Sequence, residues 1–473
     1  MVFSSVLFVG YFLPAFLLLY FASPQRWKNA VALAASIVFY LWGEPRFGLL
    51  VLAMLVLDFY LVRLMHYAEP KVKKILLWTV LALNLSALLV YKYLHFFSEN
   101  LHGLLQSLGN EGNWIIEIAL PIGISFITFQ KISYALDVYR GQSEPMHRFV
   151  DYGLYILLFP QLIAGPIVRY NEIEQQIRER QAHQTAENRL RGWFRFVLGL
   201  SKKLIIANPL GAFADDVFAA LPGGIGSGLA WLGIIAYSLQ IYYDFSAYSD
   251  MAIGIGRMLG FRLPENFQFP YIAESITDFW RRWHITLSRW MRDYLYIPLG
   301  GNRRSAKRTY FNLWMVFLLS GLWHGAAWTF VIWGVYHGLW LVLERLGWHK
   351  YLERLPRLLR VLWTYMLVLI GWVFFRAADL SEAIQYLGAM FRLSGPQTGL
   401  APDAYVRFLM MLGLGIMAMG LWRSWEERFR EGYRLGRRPG LIALQTLGSL
   451  ILGLWCLVEL YATDFNPFIY FRF

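Results

Sequence analysis

The chain has 473 residues, 57% of them hydrophobic and only 16% charged, with a mean hydropathy of +0.42. Soluble domains carry roughly 25% charged residues, and apolar runs long enough to cross a bilayer recur from end to end, so a soluble multidomain protein is excluded. The net charge of +13 reads as basic loops at a cytoplasmic membrane face, not as a nucleic-acid footprint, because the basic residues sit between apolar runs.

Those runs are continuous, which separates them from the alternating pattern of a membrane β-barrel. The sequence therefore predicts an all-α polytopic fold of about 10–12 transmembrane helices plus re-entrant or broken pieces. A single cysteine, Cys456, excludes an internal disulfide and any cysteine-based metal cluster.

Residues 2–22 form the first apolar run. It has no preceding Lys or Arg and no small-residue cleavage site, so it reads as a retained helix and not a signal peptide. Short loops follow at 23–29, with Arg26 and Lys28, and at 43–46. The run that starts at Phe47 ends at Lys71, Lys73 and Lys74, which fixes that loop inside by the positive-inside rule. Counting back places the N-terminus outside. Counting forward, residues 75–96 exit to a loop, 98–113, with Glu99 and Glu111 and no Lys or Arg. A span over about 114–138 returns to Arg140 and Arg148.

Residues 149–168 break the count. The piece is apolar, has basic flanks at both ends, and carries Pro160, Gly165 and Pro166, so it is expected to be re-entrant or broken. The loop 212–228 is again free of Lys and Arg, with Asp215 and Asp216, and is expected outside. Arg423, Arg428, Arg430, Arg434, Arg437 and Arg438 put a later loop inside, and residues 441–461 then exit, leaving the C-terminus outside. Asp58 and Asp137 read as isolated acids in spans.

Residues 278–308 read DFWRRWHITLSRWMRDYLYIPLGGNRRSAKR. The first part suits an amphipathic helix at the interface, with His284 inside it, until Pro298, Gly300 and Gly301 break it. One reading is a positive-inside anchor. The other is a surface on which Arg281, Arg282, Arg289, Arg292, Arg303 and Arg304 receive a phosphorylated donor.

Residues 311–344 are too short for two full spans, which need about 40 residues and a turn. Two helices are expected to meet within the membrane near His324, in the setting Gly321-Leu322-Trp323-His324-Gly325. An intramembrane ionisable group is a functional candidate by default. The alternative is a hydrogen-bonded structural histidine. His337, further along the return helix, reads as structural. The six histidines at 66, 95, 102, 147, 183 and 349 lie at span ends or in loops and suit interfacial roles. No HExxH, serine-hydrolase elbow or Walker loop occurs, so no metal is expected.

Five stretches now stand together: LPIGISFITFQKISYALDVYRG (120–141), FPQLIAGPIVR (159–169), YYDFSAYSDMAIGIG (242–256), FWRRWHITLSRWMRDYLYIPLGG (279–301) and SGLWHG (320–325). With the C-terminal NPFIYFRF they resemble the membrane-bound O-acyltransferase (MBOAT) family, in particular its bacterial polysaccharide O-acetyltransferases, over essentially the whole chain. The resemblance implies one integral-membrane acyltransferase domain. Residues 1–113 would be N-terminal helices, 114–345 a motif-bearing core with a central tunnel or funnel, and 346–473 C-terminal helices.

The resemblance also implies that His324 is the catalytic histidine and His284 a second functional position. It implies acetyl transfer from a cytoplasmic thioester, acetyl-CoA, with no permanently bound cofactor. The route leads across the bacterial cytoplasmic membrane to an exported polysaccharide such as alginate, through an SGNH-type extracytoplasmic acetyltransferase as partner. Two rivals stand beside it: D-alanyl transfer to teichoic acid from an acyl carrier protein, and a polysaccharide or small-molecule transporter.

Overall fold

The structure is a computed structural model that describes residues 3–110, 112–392, 405, 407–415 and 439–462. The basic loop at 423–438 and the C-terminal NPFIYFRF lie outside the described residues. Among the described residues the regular structure is entirely helical. That is the form in which a chain in lipid satisfies its own backbone groups. Among the described residues five helices are long and apolar enough to cross a membrane: Pro45–Tyr67, Pro70–Ser107, Ala186–Gly223, Arg357–Arg376 and Ala443–Ala462. On the last of these, Leu444, Leu447, Ile451, Leu454 and Val458 recur at spacings of three and four and are all exposed. An unbroken apolar stripe of this kind belongs against lipid tails, not water.

The chain gathers into two compact units, Met1–Gly192 with Ala252–Pro264, and Trp193–Met251 with Glu265–Phe473. In the first unit, prolines at the first turn start Pro45–Tyr67 and Pro70–Leu88, where the missing N–H costs no intrahelical bond. Asp58 is not isolated, as its sequence setting suggests. Lys131 Nζ lies 2.6 Å from its carboxylate, and Asn84 Nδ2 donates to both carboxylate oxygens at 3.2 Å. The pair is buried at both ends and joins three helices. Removing one partner of such a pair typically costs about 3–5 kcal/mol, because the other charge is left uncompensated.

The expected span at 114–138 is corrected. Its first part is not helical, and helix forms only over Ile124–Tyr139. Pro121 and Gly123 stand at the boundary, and Gly123 has φ +75°, a left-handed conformation that suits glycine. The non-helical stretch finds partners on the helix Leu94–Ser107 and at the junction before Pro45. Ile116 N–H donates to Ser98 Oγ at 3.0 Å, and Ile122 N–H to Glu44 Oε1 at 3.1 Å.

The break expected within 149–168 is present. Phe149–Leu157 and Phe159–Leu162 are separate helices, and Leu158 between them leaves helical geometry (ψ 107°). Side chains take up backbone groups there: Phe159 N–H donates to Ser36 Oγ at 3.1 Å, and Gln161 Nε2 to the Tyr155 carbonyl at 2.6 Å.

The second unit contains most of Ser227–Met258, the short helices Ile276–Arg282 and Ile285–Met291, and a helical hairpin. The expected single amphipathic helix around His284 is corrected: the chain breaks at Trp283–His284, and His284 sits between two helices, not within one.

Candidate active site

The hairpin follows from its glycines. Ala306–His324 runs up, Gly325 adopts extended backbone, and Trp328–Leu343 runs back. A Cβ added at Gly321 would lie 2.3 Å from the Phe330 carbonyl oxygen, and one at Gly334 would lie 2.4 Å from the Phe317 carbonyl oxygen. Backbones meet at both points, so neither position has room for a side chain. This is how membrane helices pack closely without help from water.

His324 is the last residue of the first arm and is 5% exposed. Its ring lies 4.9 Å from Trp323, 5.1 Å from Trp333 and 5.2 Å from Phe375, mostly edge to face. Along the chain His337 lies about three and a half turns further on. The hairpin removes that distance, because the His337 ring lies 5.0 Å from the same Trp333. His337 is fully buried, and neither of its ring nitrogens has a hydrogen-bond partner among the described residues. Trp280 and Tyr336 close around it at 5.0 and 5.3 Å, and a Cβ at Gly371 would stand 2.6 Å from its Nε2.

His284 occupies a different setting. It and Phe269 are the non-glycine residues with positive φ among the described residues, at +44° and +48°. Each such conformation costs on the order of 1–3 kcal/mol and persists only where its surroundings enforce it. Here two backbone bonds do so: Gln268 N–H to the Arg282 carbonyl and Ile285 N–H to the Asn266 carbonyl, both at 2.9 Å. The His284 Nδ1 lies 3.0 Å from Asn266 Oδ1, and its Nε2 has no hydrogen-bond partner among the described residues. Its segment lies outside the five helices long enough to cross a membrane. Burial pushes its pKa down to about 3, so the imidazole is neutral. Its ring lies 6.3 Å from Trp323, the neighbour of His324. The two motif histidines therefore share a tryptophan.

Glu344 holds this arrangement together. Placed just beyond the return arm of the hairpin, it accepts from Ile276 N–H at 2.6 Å, Thr277 N–H at 2.9 Å and Thr277 Oγ1 at 2.6 Å. These are orphan donors at the start of the helix that leads to His284, where a carboxylate is also favoured by the helix dipole.

Beside Asn266 lies a polar cavity of about 200 Å³. Its wall includes Arg195, Lys202, Asp250 and Glu265. Arg195 bridges Asp250 and Glu265 at 2.6 Å each, and Lys202 reaches Asp250 at 2.6 Å. Among the six arginines expected to receive donor phosphates, Arg282 is paired with Asp278 at 2.9 Å and Arg292 with Asp293 at 2.6 Å. Arg281, Arg289, Arg303 and Arg304 are exposed and show no ion pair among the described residues.

Sequence reasoning missed Asn266, Asp250, Glu344 and Gly371. For Asp250, and for Asp244 beside it, a signal was present: two acids within a long apolar helix, a costly placement in a membrane. Asp244 is paired with Lys203 at 2.8 Å.

A family model, that of the membrane-bound O-acyltransferase family, matches residues 37–368. A Pseudomonas putida protein named "Probable alginate O-acetylase" is 40% identical over all of this chain and all of its own length. Its namesake in Pseudomonas aeruginosa is 46% identical over 83% of this chain and 75% of that protein. A Helicobacter pylori protein named peptidoglycan O-acetyltransferase is 37% identical over 84% of this chain and 80% of its own. Helices fit for a membrane, a hairpin that encloses the WHG histidine, and this extent of similarity lead to one assignment: the chain is a multi-pass O-acyltransferase that belongs to the membrane-bound O-acyltransferase family.

Proposed function

We propose that this enzyme passes an acetyl group from cytoplasmic acetyl-CoA across the bacterial cytoplasmic membrane, for O-acetylation of an exported polysaccharide such as alginate. An SGNH-type acetyltransferase outside the membrane is the partner that completes delivery. The observation that carries this reading is the full-length similarity to a protein named for alginate O-acetylation. His324 is the reacting histidine. A neutral imidazole takes the proton of an acceptor hydroxyl as that oxygen attacks the thioester carbonyl and CoA leaves as the thiol. A second route has the imidazole accept the acetyl group itself and then release it. The enclosure of His324 by aromatic rings supports either route, because it keeps competing water from the thioester. Arg281, Arg289, Arg303 and Arg304 are the arginines best suited to donor phosphates, since their charges are exposed and unpaired among the described residues.

In this orientation 71–74 and 423–438 face the cytoplasm and both termini are outside; 98–113 and 212–228, whose first parts complete the helices Pro70–Ser107 and Ala186–Gly223, lead to the outer face. Two experiments test the reading. Membranes given radiolabelled acetyl-CoA, the candidate SGNH partner and polysaccharide should label the polysaccharide. Label that never leaves CoA would overturn the donor, and transfer only from a D-alanyl carrier protein would select the teichoic-acid rival. In sealed cells carrying Cys456→Ala, strong external labelling of Lys73→Cys would reverse the orientation.

A further inference from the structure

We propose that Asn266 is a positioning residue that fixes His284 in its Nδ1–H tautomer, so that Nε2 keeps a lone pair able to accept a hydrogen bond during the transfer at His324. The proposal rests on the reading that His284 takes part in the reaction, and the tests below separate the two.

The argument begins with a backbone amide. Asn266 Oδ1 lies 3.3 Å from Thr286 N, 2.9 Å from Thr286 Oγ1 and 3.0 Å from His284 Nδ1. A backbone N–H can only donate, so the Asn266 atom that faces it must be the carbonyl oxygen and not the amide nitrogen. The amide nitrogen, so placed, donates to Ser249 Oγ at 3.1 Å. An oxygen acceptor opposite Nδ1 requires the proton on Nδ1. A neutral imidazole carries one ring proton, so Nε2 is left with its lone pair. That nitrogen is buried and has no hydrogen-bond partner among the described residues. The Asn266 carbonyl also accepts Ile285 N–H at 2.9 Å, so one residue holds both the ring and the strained backbone of His284.

The charged surroundings leave this assignment undisturbed. On the cavity wall that Asn266 shares, Arg195 and Lys202 are matched by Asp250 and Glu265. On the segment of His284 itself, Arg281 and Arg289 are exposed, while Arg282 and Arg292 are engaged by Asp278 and Asp293. From the hairpin the titratable neighbour is His324, reached through Trp323.

The test uses full-length protein labelled with 15N-histidine, with the His284 signals identified by their loss in His284→Ala. At pH 7.5 the wild type should show the Nδ1–H pattern at His284, and Asn266→Leu should move it toward Nε2–H. Transfer by Asn266→Leu should fall by about 10²-fold or more, within the range of a lost acid–base group. Asn266→Asp guards against misfolding of the leucine variant. It keeps an acceptor oxygen opposite Nδ1 and puts a second in place of the amide nitrogen, so it should retain the tautomer and restore transfer at high pH. It should also move the acid limb of the rate profile upward, because a carboxylate stabilises the imidazolium. An Nε2–H signal in the wild type, or the same tautomer in Asn266→Leu, overturns the proposal. So does full transfer by Asn266→Leu where His284→Ala is inactive. Full transfer by His284→Ala removes instead the reading that His284 acts at all, and this proposal falls with it.

Discussion

His324 and His284 meet the same tryptophan from two unlike environments. His324 ends a helix and is surrounded by Trp323, Trp333 and Phe375. His284 sits on strained backbone and is held by an amide oxygen beside a wall of paired charges. An aromatic shell excludes water and fixes shape. A hydrogen-bonded seat fixes the tautomer. The contrast teaches that one residue type can be held in two unlike ways, and that burial alone ranks neither.

The sharpest way to break this comparison is to remove each ring. His324→Ala should abolish transfer at matched membrane levels, a loss of at least about 10² to 10⁴ in rate for a missing general base and more for a missing covalent site. Near-normal acetyl incorporation would end its assigned role. Enlarging the hairpin seam comes next. Gly334→Leu places a side chain where a Cβ alone would lie 2.4 Å from a carbonyl oxygen, so folded protein recovered in detergent should fall severely. Recovery equal to wild type would show that the arms are not in contact there.

A milder change sharpens the link between the two sites. Glu344→Gln keeps the shape but loses the charge that accepts two backbone donors, and hydrogen bonds to a charged group contribute about 1.5–3 kcal/mol each. Thermal stability should drop and transfer should fall with it. Unchanged melting would remove the pin. His337→Phe should stay within about tenfold of wild-type transfer, less than an acid–base loss, because its ring packs but finds no hydrogen-bond partner among the described residues. Loss equal to that of His324→Ala would make His337 a second reacting group.

The smallest effect concerns acid. His284 has a folded-state pKa pushed down to about 3, below the ordinary value near 6.5. The unfolded chain therefore binds a proton that the folded one refuses. Stability is unaffected by this group above about pH 6.5 and declines as pH falls below it. His284→Gln should flatten that decline in melting scans between pH 7 and pH 5. An equally steep decline would assign it to other groups.

The hairpin was legible because 311–344 is too short for two full spans, and the break at Leu158 because Pro160, Gly165 and Pro166 interrupt an apolar run. The non-helical stretch before Ile124 was not, since apolar composition alone does not separate helix from irregular chain. The break at His284 carries no glycine, and its left-handed backbone is imposed by partners at 266 and 268 that no local pattern reveals. His324 stood out in the sequence as an ionisable group in an apolar run, whereas His284 was singled out through family resemblance. The partners that tune them, Asn266 above all, lie in a polar loop that periodicity passes over. Likewise Asp58 looked solitary because its cation belongs to a helix far along the chain.

That last distance has a meaning for how the protein is made. Asp58 precedes Lys131 by 131 − 58 = 73 residues. At translation rates of about 5–20 residues per second, the acid emerges roughly 4–15 s before its counter-ion exists. A carboxylate at the centre of a membrane helix is resisted at insertion by about 2.5–3.5 kcal/mol. The helix Pro45–Tyr67 therefore cannot reach its final state as soon as it leaves the ribosome. Its buried carboxylate meets its cation only when Ile124–Tyr139 arrives. Assembly of this half of the chain is thus an event of several helices at once, and its timing is written into a single ion pair.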